Sequence, residues 1–207
     1  ENVGAEFYGT IFYIAESTHT AGVIWVATDD GRLQITRNGG DSWVDVTPRN
    51  LKGAQINAIE VSPHEPGVAY IAVAGYKMND FEPYVYKLTD FGKRWMRLDS
   101  DLPDDNFVRV VRADPEREGL LYAGSEGGLF VSFDDGDHWQ SLNMNFPTVP
   151  ITDLRVRQNT LIAATQGRGF WALDELTVIR QLNVNLSEKK LHVFKPKPSS
   201  LMRWGGR

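Results

Sequence analysis

Cysteine is absent from the 207 residues, which excludes disulfides and thiolate metal sites. No stretch reaches the roughly 18 consecutive apolar residues of a membrane helix, so we expect no membrane span. The chain has no initiating methionine and no signal peptide. We interpret it as mature, processed or excised sequence.

Familiar catalytic motifs are also missing. There is no Gly-x-Ser-x-Gly elbow, no phosphate-binding loop and no His-Glu-x-x-His pair, each of which would indicate a particular chemistry. The histidines share no ligand spacing; they are His19, His64, His138 and His192. The sequence therefore predicts no catalytic residues, no metal site and no cofactor.

Basic residues are fewer than acidic ones (22 Lys/Arg against 27 Asp/Glu), so the net charge is −5. A net negative charge argues against general nucleic-acid binding. The distribution is uneven: residues 178–207 contain seven Lys/Arg and one acidic residue, which leaves −11 for residues 1–177. We interpret 178–207 as a basic C-terminal extension that acts as a docking arm, a closing strand or an extended linker.

Three stretches of the chain repeat one another. They are "VIWVATDDGRLQITRNGGDSW" (23–43), "VAYIAVAGYKMNDFEPYVYKLTDFGKRW" (68–95) and "LLYAGSEGGLFVSFDDGDHW" (120–139). A fourth, "TLIAATQGRGFWALDE" (160–175), matches only the first half. Repeats at this spacing indicate an array of similar supersecondary units.

Each unit is predicted to be β, because its segments are short, β-branched or aromatic, and bounded by turn residues. We label the strands of a unit A to D in chain order. In the third unit they are predicted at 107–113, 120–124, 128–133 and 139–142. Four antiparallel strands per unit predict an all-β propeller, with blades over 8–50, 55–100, 107–145 and 150–177.

The turn from strand C to strand D carries an eight-residue pattern that we call the octad. The octad residues are Thr36, Asn38, Gly40 and Trp43; Asp90, Gly92 and Trp95 (after Leu88); and Ser132, Asp134, Gly136 and Trp139. Asp and Asn accept hydrogen bonds from nearby backbone N–H groups, and glycine adopts positive φ without steric cost. The tryptophan offers a large surface for packing between sheets. We therefore expect a structural role for the octads, and for the acidic residues Asp134, Asp135 and Asp137, rather than a calcium site.

The octad pattern S-x-D-x-G-x-x-W resembles the Asp-box of bacterial-neuraminidase-type (BNR) repeats. That family includes sialidases, sortilin-type receptor domains, xyloglucan-cleaving glycosidases and photosystem assembly factors. The wording "GLFVSFDDGDHWQSL" and "TQGRGFWALDEL" is similar to the C-terminal propeller region of sortilin-like exported bacterial proteins. Leu88, Asn38 and the missing fourth octad depart from the family pattern. The resemblance implies an extracellular or periplasmic bacterial protein.

Four units are few for this family, which usually has six or more blades. We therefore predict a partial propeller, whose remaining blades come from missing sequence or a companion chain. Because strand direction alternates within a blade, the octads and the A–B turns share one face. The B–C and D–A loops lie on the other face, where propellers commonly bind partners.

The candidate ligand residues are those of the B–C loops. They are Asp29, Asp30 and Arg32; Tyr76, Lys77, Asp80, Phe81 and Tyr84 in the longest loop; Glu126; and Gln166 and Arg168. Exposed aromatic residues on a long loop are typical of recognition sites. The inner strands carry Arg109, Arg112, Arg155 and Arg157, and some of these side chains should point into the central channel. There they either hold an acidic ligand, remain solvated, or pair with Asp153 and Glu60.

These features favour a non-catalytic scaffold that binds a polypeptide or polysaccharide through its B–C and D–A loops. An assembly or sorting factor belongs to the same partner-binding class. The alternative is part of a glycoside hydrolase cleft shared with another propeller or domain. Such a cleft needs two carboxylates roughly 5–9.5 Å apart, and the carboxylates on the loop face are Asp30, Asp80, Asp105 and Glu126.

Overall fold

A computed structural model describes residues 9–49, 51, 53–182 and 191–196. The first two sheets are β1 (Ile11–Glu16), β2 (Ile24–Thr28), β3 (Leu33–Thr36), β4 (Val44–Asp45), and β5 (Gln55–Val61), β6 (Ala69–Ala74), β7 (Tyr84–Thr89), β8 (Arg94–Arg97). The other two are β9 (Val108–Ala113), β10 (Leu121–Ser125), β11 (Gly128–Ser132), β12 (Gln140–Ser141), and β13 (Ile151–Arg157), β14 (Thr160–Thr165), β15 (Phe170–Asp174). A short helix, α1 (Leu176–Ile179), follows.

Each sheet is an antiparallel meander, and the four sheets form consecutive blades of a β-propeller. The first strands β1, β5, β9 and β13 are innermost, and each packs on the next along the chain. The expected all-β propeller of about four blades is thereby confirmed. Within the described residues the fourth blade has only three strands. The described part of the chain contains no helix of the length and apolar character needed to cross a membrane.

The hydrophobic core lies between the blades, not within one sheet. Trp25 of blade 1 packs with Ile71 and Leu88 of blade 2, and Tyr122 of blade 3 packs with Leu154 and Leu161 of blade 4. Strands of the middle blades are covered on both faces, so β6, β10 and β11 are buried at every position. Burial of apolar area on two faces makes blades 2 and 3 the interior of the array.

The end blades are covered on one face only. Ile14 of β1 is 61% exposed and Phe170 of β15 is 81% exposed. The inner strands pack in the pairs β1 with β5, β5 with β9, and β9 with β13. Strands β13 and β1 do not pack on each other in this way. The array is therefore open between blade 4 and blade 1.

The octads close the C–D turns. In the third octad, Ser132 Oγ accepts from Gly136 N at 2.8 Å and donates to Asp134 Oδ1 at 2.9 Å, which also accepts from His138 N at 2.9 Å. In the first, Thr36 Oγ1 accepts from Gly40 N at 3.0 Å and donates to Asn38 Oδ1 at 2.9 Å. Asparagine thus replaces aspartate there without loss of these bonds.

The second octad uses a different turn. Leu88 provides no hydroxyl, and the backbone N–H of Gly92 instead donates to Thr89 O at 3.1 Å. Asp90 and Phe91 take the left-handed conformation, with φ of 50° and 55°. Two successive positive φ values are typical of a tight hairpin turn.

The chain after β15 packs on both blade 3 and blade 4. In the A–B turn of blade 4, Asn159 O accepts from Leu176 N at 3.0 Å and Gln158 O accepts from Arg180 Nη2 at 2.9 Å. Leu176 and Ile179 of α1 are buried in the core of blades 2 to 4. Arg180 Nε donates to both carboxylate oxygens of the fully buried Asp114 at 3.0 Å. The basic extension thus begins with a segment held between blades 3 and 4, while residues 183–190 and 197–207 lie outside the described residues.

Candidate functional site

Contacts between loops define two faces of the propeller. On one face Gly127 N donates to Asn106 Oδ1 at 2.5 Å, and Gln166 N donates to Pro150 O at 2.9 Å. Each of these bonds joins a B–C loop to a D–A loop. On the other face, His64 Nε2 donates to Asp114 O at 2.7 Å, which joins two A–B turns. The octads lie on this second face, because Gly39 N donates to Gly22 O of an A–B turn.

An aromatic cluster stands on the loop face, where blades 2 and 3 meet. Tyr76 stacks on Phe107 with ring centroids 5.3 Å apart and planes inclined by 19°. Phe81 lies 6.4 Å from Phe107, also measured between centroids. Phe107 is buried, whereas Tyr76 and Phe81 each expose about two fifths of their surface. We call these three side chains the aromatic ledge.

The loop that carries the ledge is held by its own hydrogen bonds. A short 3-10 turn spans Tyr76–Met78 and ends on Asn79 in the left-handed conformation. Asp80 Oδ2 accepts from Tyr84 OH at 2.8 Å. Burial, followed by this hydrogen bond to Asp80, raises the pKa of Tyr84 above its ordinary value. Tyr84 therefore stays a phenol that fixes the loop, and Asp80 is engaged within it.

A charge pair borders the ledge on the side of blade 3. The guanidinium of Arg109 lies 5.0 Å above the Phe107 ring and donates to Glu126 Oε1. Both side chains remain about 30% exposed. A half-exposed ion pair beside exposed rings offers both hydrogen-bond donors and acceptors to a bound molecule.

The other candidate ligand residues lie elsewhere on the loop face. Asp29 Oδ1 accepts from Gly9 N and Thr10 N at 2.9 Å, so it holds the entry to β1. Asp30 accepts from Thr28 and lies 3.5 Å from Arg32. Gln166 and Arg168 belong to blade 4 and use backbone groups in local bonds. No described bond or ring contact brings these residues to the ledge, and Lys77 in the ledge loop is exposed.

Acidic residues of the third octad are engaged in protein contacts. Asp135 accepts from Tyr70 OH at 2.5 Å and from Lys87 Nζ, which joins blade 3 to blade 2. Partial burial opposes ionisation of Asp134, but bonds from His138 and Ser132 prevail and lower its pKa. Among the residues that the structure describes, no cluster of three or more His, Asp or Glu side chains could hold a metal ion.

The central channel contains a paired arginine. Arg112 is buried, and its guanidinium donates to Leu154 O at 2.8 Å, Tyr13 OH at 3.0 Å and Asp153 Oδ1 at 2.6 Å. Glu60 Oε2 lies 3.6 Å away. Of the two roles open to Arg112, the structure has the pairing with Asp153 and Glu60. The neighbouring cavity of about 370 Å³ touches the inner strands of all blades.

Glu60 should make stability depend on pH. Burial raises the pKa of Glu60 to about 7, against the attraction of Arg112. The native state then binds more protons than the unfolded chain between about pH 4.5 and pH 7, so Glu60 lowers stability as pH rises through that window. The contribution is about 3 kcal/mol at full ionisation.

We expect Glu60→Gln to remove that slope. Measured by urea titration, the variant should gain about 3 kcal/mol relative to the parent protein between pH 4.5 and pH 8. A difference between the two proteins that stays constant over this range would contradict the assignment.

Sequence reasoning missed Phe107, and it did not decide which of the four inner-strand arginines face the channel; Arg109 pairs with Glu126 on the loop face. Phe107 was expected as the first residue of strand A, but β9 begins at Val108 and the ring turns to the ledge. The usable signal was the adjacency of "NFVR" (106–109) to a D–A loop.

No protein-family model matches the chain. The oligoxyloglucan-reducing end-specific xyloglucanase of Emericella nidulans is 28% identical over 129 residues, covering 61% of this chain and 16% of the enzyme. The chain thus spans about a sixth of the length of this curated relative.

Solved propellers show the same fold. A GH74 xyloglucanase from Xanthomonas campestris matches with a TM-score of 0.63 and 20% identity, over 81% of this chain and 28% of that one. YCF48 from Cyanidioschyzon merolae matches with a TM-score of 0.59 and 19% identity, over 84% and 56%. YCF48 bound to D1 peptide gives 0.59 and 18%, over 83% and 53%. At these identities the likeness shows the propeller fold alone.

Proposed function

We propose that this chain is a non-catalytic propeller scaffold that binds a polysaccharide or polypeptide partner at the aromatic ledge. The observation that carries the proposal is the exposure of Tyr76 and Phe81 around the buried anchor Phe107. Exposed rings on a rigid support lose little conformational entropy when they bind. The ledge lies opposite the octads, whose acidic groups are engaged in protein contacts.

A polysaccharide is the favoured occupant. Flat aromatic faces stack on the apolar faces of sugar rings, and the Arg109–Glu126 pair offers partners to hydroxyl groups. The similarity to xyloglucanases in sequence and in structure supports a glycan. We include in the same proposal an exported location, extracellular or periplasmic in a bacterium. A protein that binds a cell-wall polysaccharide such as xyloglucan finds that ligand outside the cell.

A shared glycoside hydrolase cleft is the second candidate, on the strength of the same similarity. The loop-face carboxylates each have local partners: Asp30 with Arg32, Asp80 with Tyr84, and Glu126 with Arg109. No two of these three share a hydrogen-bond partner. Asp80 and Glu82 of the ledge loop do share one, because Tyr84 OH lies 2.8 Å from Asp80 Oδ2 and 3.3 Å from Glu82 Oε2. The second carboxylate of such a cleft would therefore come either from this loop or from another domain.

Xyloglucan oligosaccharides titrated into the isotope-labelled chain should shift the backbone amide signals of residues 75–83 and 106–109. Tyr76→Ala and Phe81→Ala should each weaken binding about tenfold, a loss of about 1.4 kcal/mol. Phe170→Ala removes a ring of blade 4 that is more exposed than either ledge ring, and it should leave the affinity unchanged.

The same titration separates the candidates. Equal losses for Phe170→Ala and Tyr76→Ala would refute the ledge as the site. If only an extended peptide shifts the ledge amides, the partner is a polypeptide. New reducing ends in the sample would instead support the hydrolase.

A further inference from the structure

Each internal octad is fitted to the blade that precedes it. A Cβ placed on Gly92 would lie 2.6 Å from Val46 Cβ, and one on Gly136 would lie 2.8 Å from Leu98 Cδ1. Real Cβ atoms do not approach other atoms so closely. The octad glycine is therefore required at these positions by contact with the previous blade as well as by its positive φ of 84° or 93°.

The octad tryptophan makes the same contact in the third blade. Trp139 is 6% exposed, and its indole N–H donates to Leu98 O at 2.5 Å. Ser100 Oγ, just beyond, donates to Asp137 O. The octad of blade 3 thus packs on, and hydrogen-bonds to, the end of strand D in blade 2.

The residue that follows strand D is of the same type in blades 1 to 3, and the octads of blades 2 and 3 contact it in the blade before them. Val46, Leu98 and Leu142 each follow strand D, and each donates its backbone N–H to strand C of the same blade at 2.8–2.9 Å. All three are aliphatic. An octad in this protein therefore receives an aliphatic residue held at the end of a fourth strand.

The first octad has the same residue types, but no strand end of the described residues packs on it. A Cβ on Gly40 would meet no atom closer than Trp43 of its own octad, at 4.0 Å, although the φ of Gly40 is 106°. Trp43 is 42% exposed. Within the described part of the chain, the first octad is thus the one of the three that has no contact with a preceding blade.

The first strand of blade 1 also lacks the cover that the first strands of blades 2 and 3 have. Ile14, Ile59 and Val111 pair with Val26, Ile71 and Ala123 on the second strands of their blades. Ile59 and Val111 are 1% and 0% exposed, since the preceding blade covers them, whereas Ile14 is 61% exposed. An isoleucine there exposes a large apolar surface that its two counterparts bury.

We propose that the outer face of blade 1 is an interface that receives the fourth strand of another propeller blade, supplied by polypeptide N-terminal to residue 1. The occupant presents an aliphatic strand end to Gly40 and Trp43 and covers Ile14. This inference is independent of the proposed ledge function.

The position of the chain at β1 favours an occupant in the same polypeptide. Gly9 and Thr10 approach β1 on the loop face, where Asp29 accepts from both backbone N–H groups. The D–A loops approach β5 and β9 on this same face, and each of them comes directly from the strand end that the next octad contacts. A blade upstream of residue 9 would reach Trp43 by the same route.

A second copy of this chain does not meet the requirement. Its free blade is blade 4, which has no fourth strand among the described residues. The segment that follows β15 is α1, whose Leu176 and Ile179 are already buried. Among the described residues, blade 4 therefore offers no strand end of the kind that an octad receives.

The 207-residue chain contains no cysteine, so a thiol introduced into it is unique. In the longer polypeptide, labelling is measured on the peptide that contains the introduced cysteine. Ile14→Cys is made in the 207-residue chain and in the natural polypeptide with the sequence that precedes it. We expect maleimide to label the short chain freely and the natural polypeptide at least tenfold more slowly. Met144→Cys, at an exposed D–A loop position, serves as the control and should label at the same rate in both.

Three outcomes would overturn the proposal. They are equal labelling of Ile14→Cys in both proteins, protection of the short chain that grows with its own concentration, and a natural polypeptide that begins at residue 1. The second outcome would assign the face to a second copy. If Ile14→Cys fails to fold, acrylamide quenching of Trp43, taken as the difference from Trp43→Phe, makes the same comparison.

Discussion

Replacing Arg180 with alanine is expected to lower the free energy of unfolding by about 3–5 kcal/mol. Arg180 Nε donates to both oxygens of Asp114, whose side chain is 0% exposed. Without the guanidinium, a buried carboxylate loses its counter-charge, and removal of one partner of a buried pair is costly. Denaturant titration of the 207-residue chain measures the loss.

Two further variants make this result specific. Arg157→Ala removes an exposed arginine from β13 of blade 4 and should change stability by less than about 0.5 kcal/mol. Adding Asp114→Asn to Arg180→Ala should recover part of the loss, because an amide needs no counter-charge. Absence of any recovery would show that Arg180 acts by anchoring α1 alone.

Trp139→Ala is expected to cost about 3–5 kcal/mol, the usual range for truncation of a buried tryptophan. Trp43→Ala changes the same octad position in blade 1 and should cost less than about 1 kcal/mol in this chain. The two side chains differ in what covers them, since Trp139 is 6% and Trp43 42% exposed. Denaturant titrations of both variants give the comparison.

Equal losses for the two variants would indicate that the octad tryptophan acts within its own hairpin. The expected difference would show instead that its contribution comes from the preceding blade. Hairpin closure itself depends on Ser132 and Asp134, which bond within the turn.

The strands were accessible to sequence reasoning. Those predicted for the third unit at 107–113, 120–124 and 128–133 are observed at Val108–Ala113, Leu121–Ser125 and Gly128–Ser132. Short apolar runs bounded by glycine and aspartate are local signals, so they survive without knowledge of the tertiary fold. The divergent end of blade 4 was also visible, as the fourth octad is missing.

Only part of the aromatic ledge could be predicted from the sequence. The length and aromatic content of residues 76–84 pointed to Tyr76 and Phe81, whereas Phe107 lies in another blade. Stacking of Phe107 on Tyr76 depends on how two blades meet, and one strand pattern does not encode that. The direction of Arg109 was left open for the same reason, because the direction of a side chain at a strand end depends on its neighbours.

The sequence by itself determined the repeat, the four-stranded unit and the hairpin that each octad closes, because spacing and turn chemistry act within about twenty residues of chain. Tertiary structure alone decided which charges meet, as in Arg112 with Asp153 or Lys87 with Asp135, and which octad lacks a neighbour. Such pairs join segments some forty or more residues apart. Their energies depend on distance and burial, which exist only once the blades have packed.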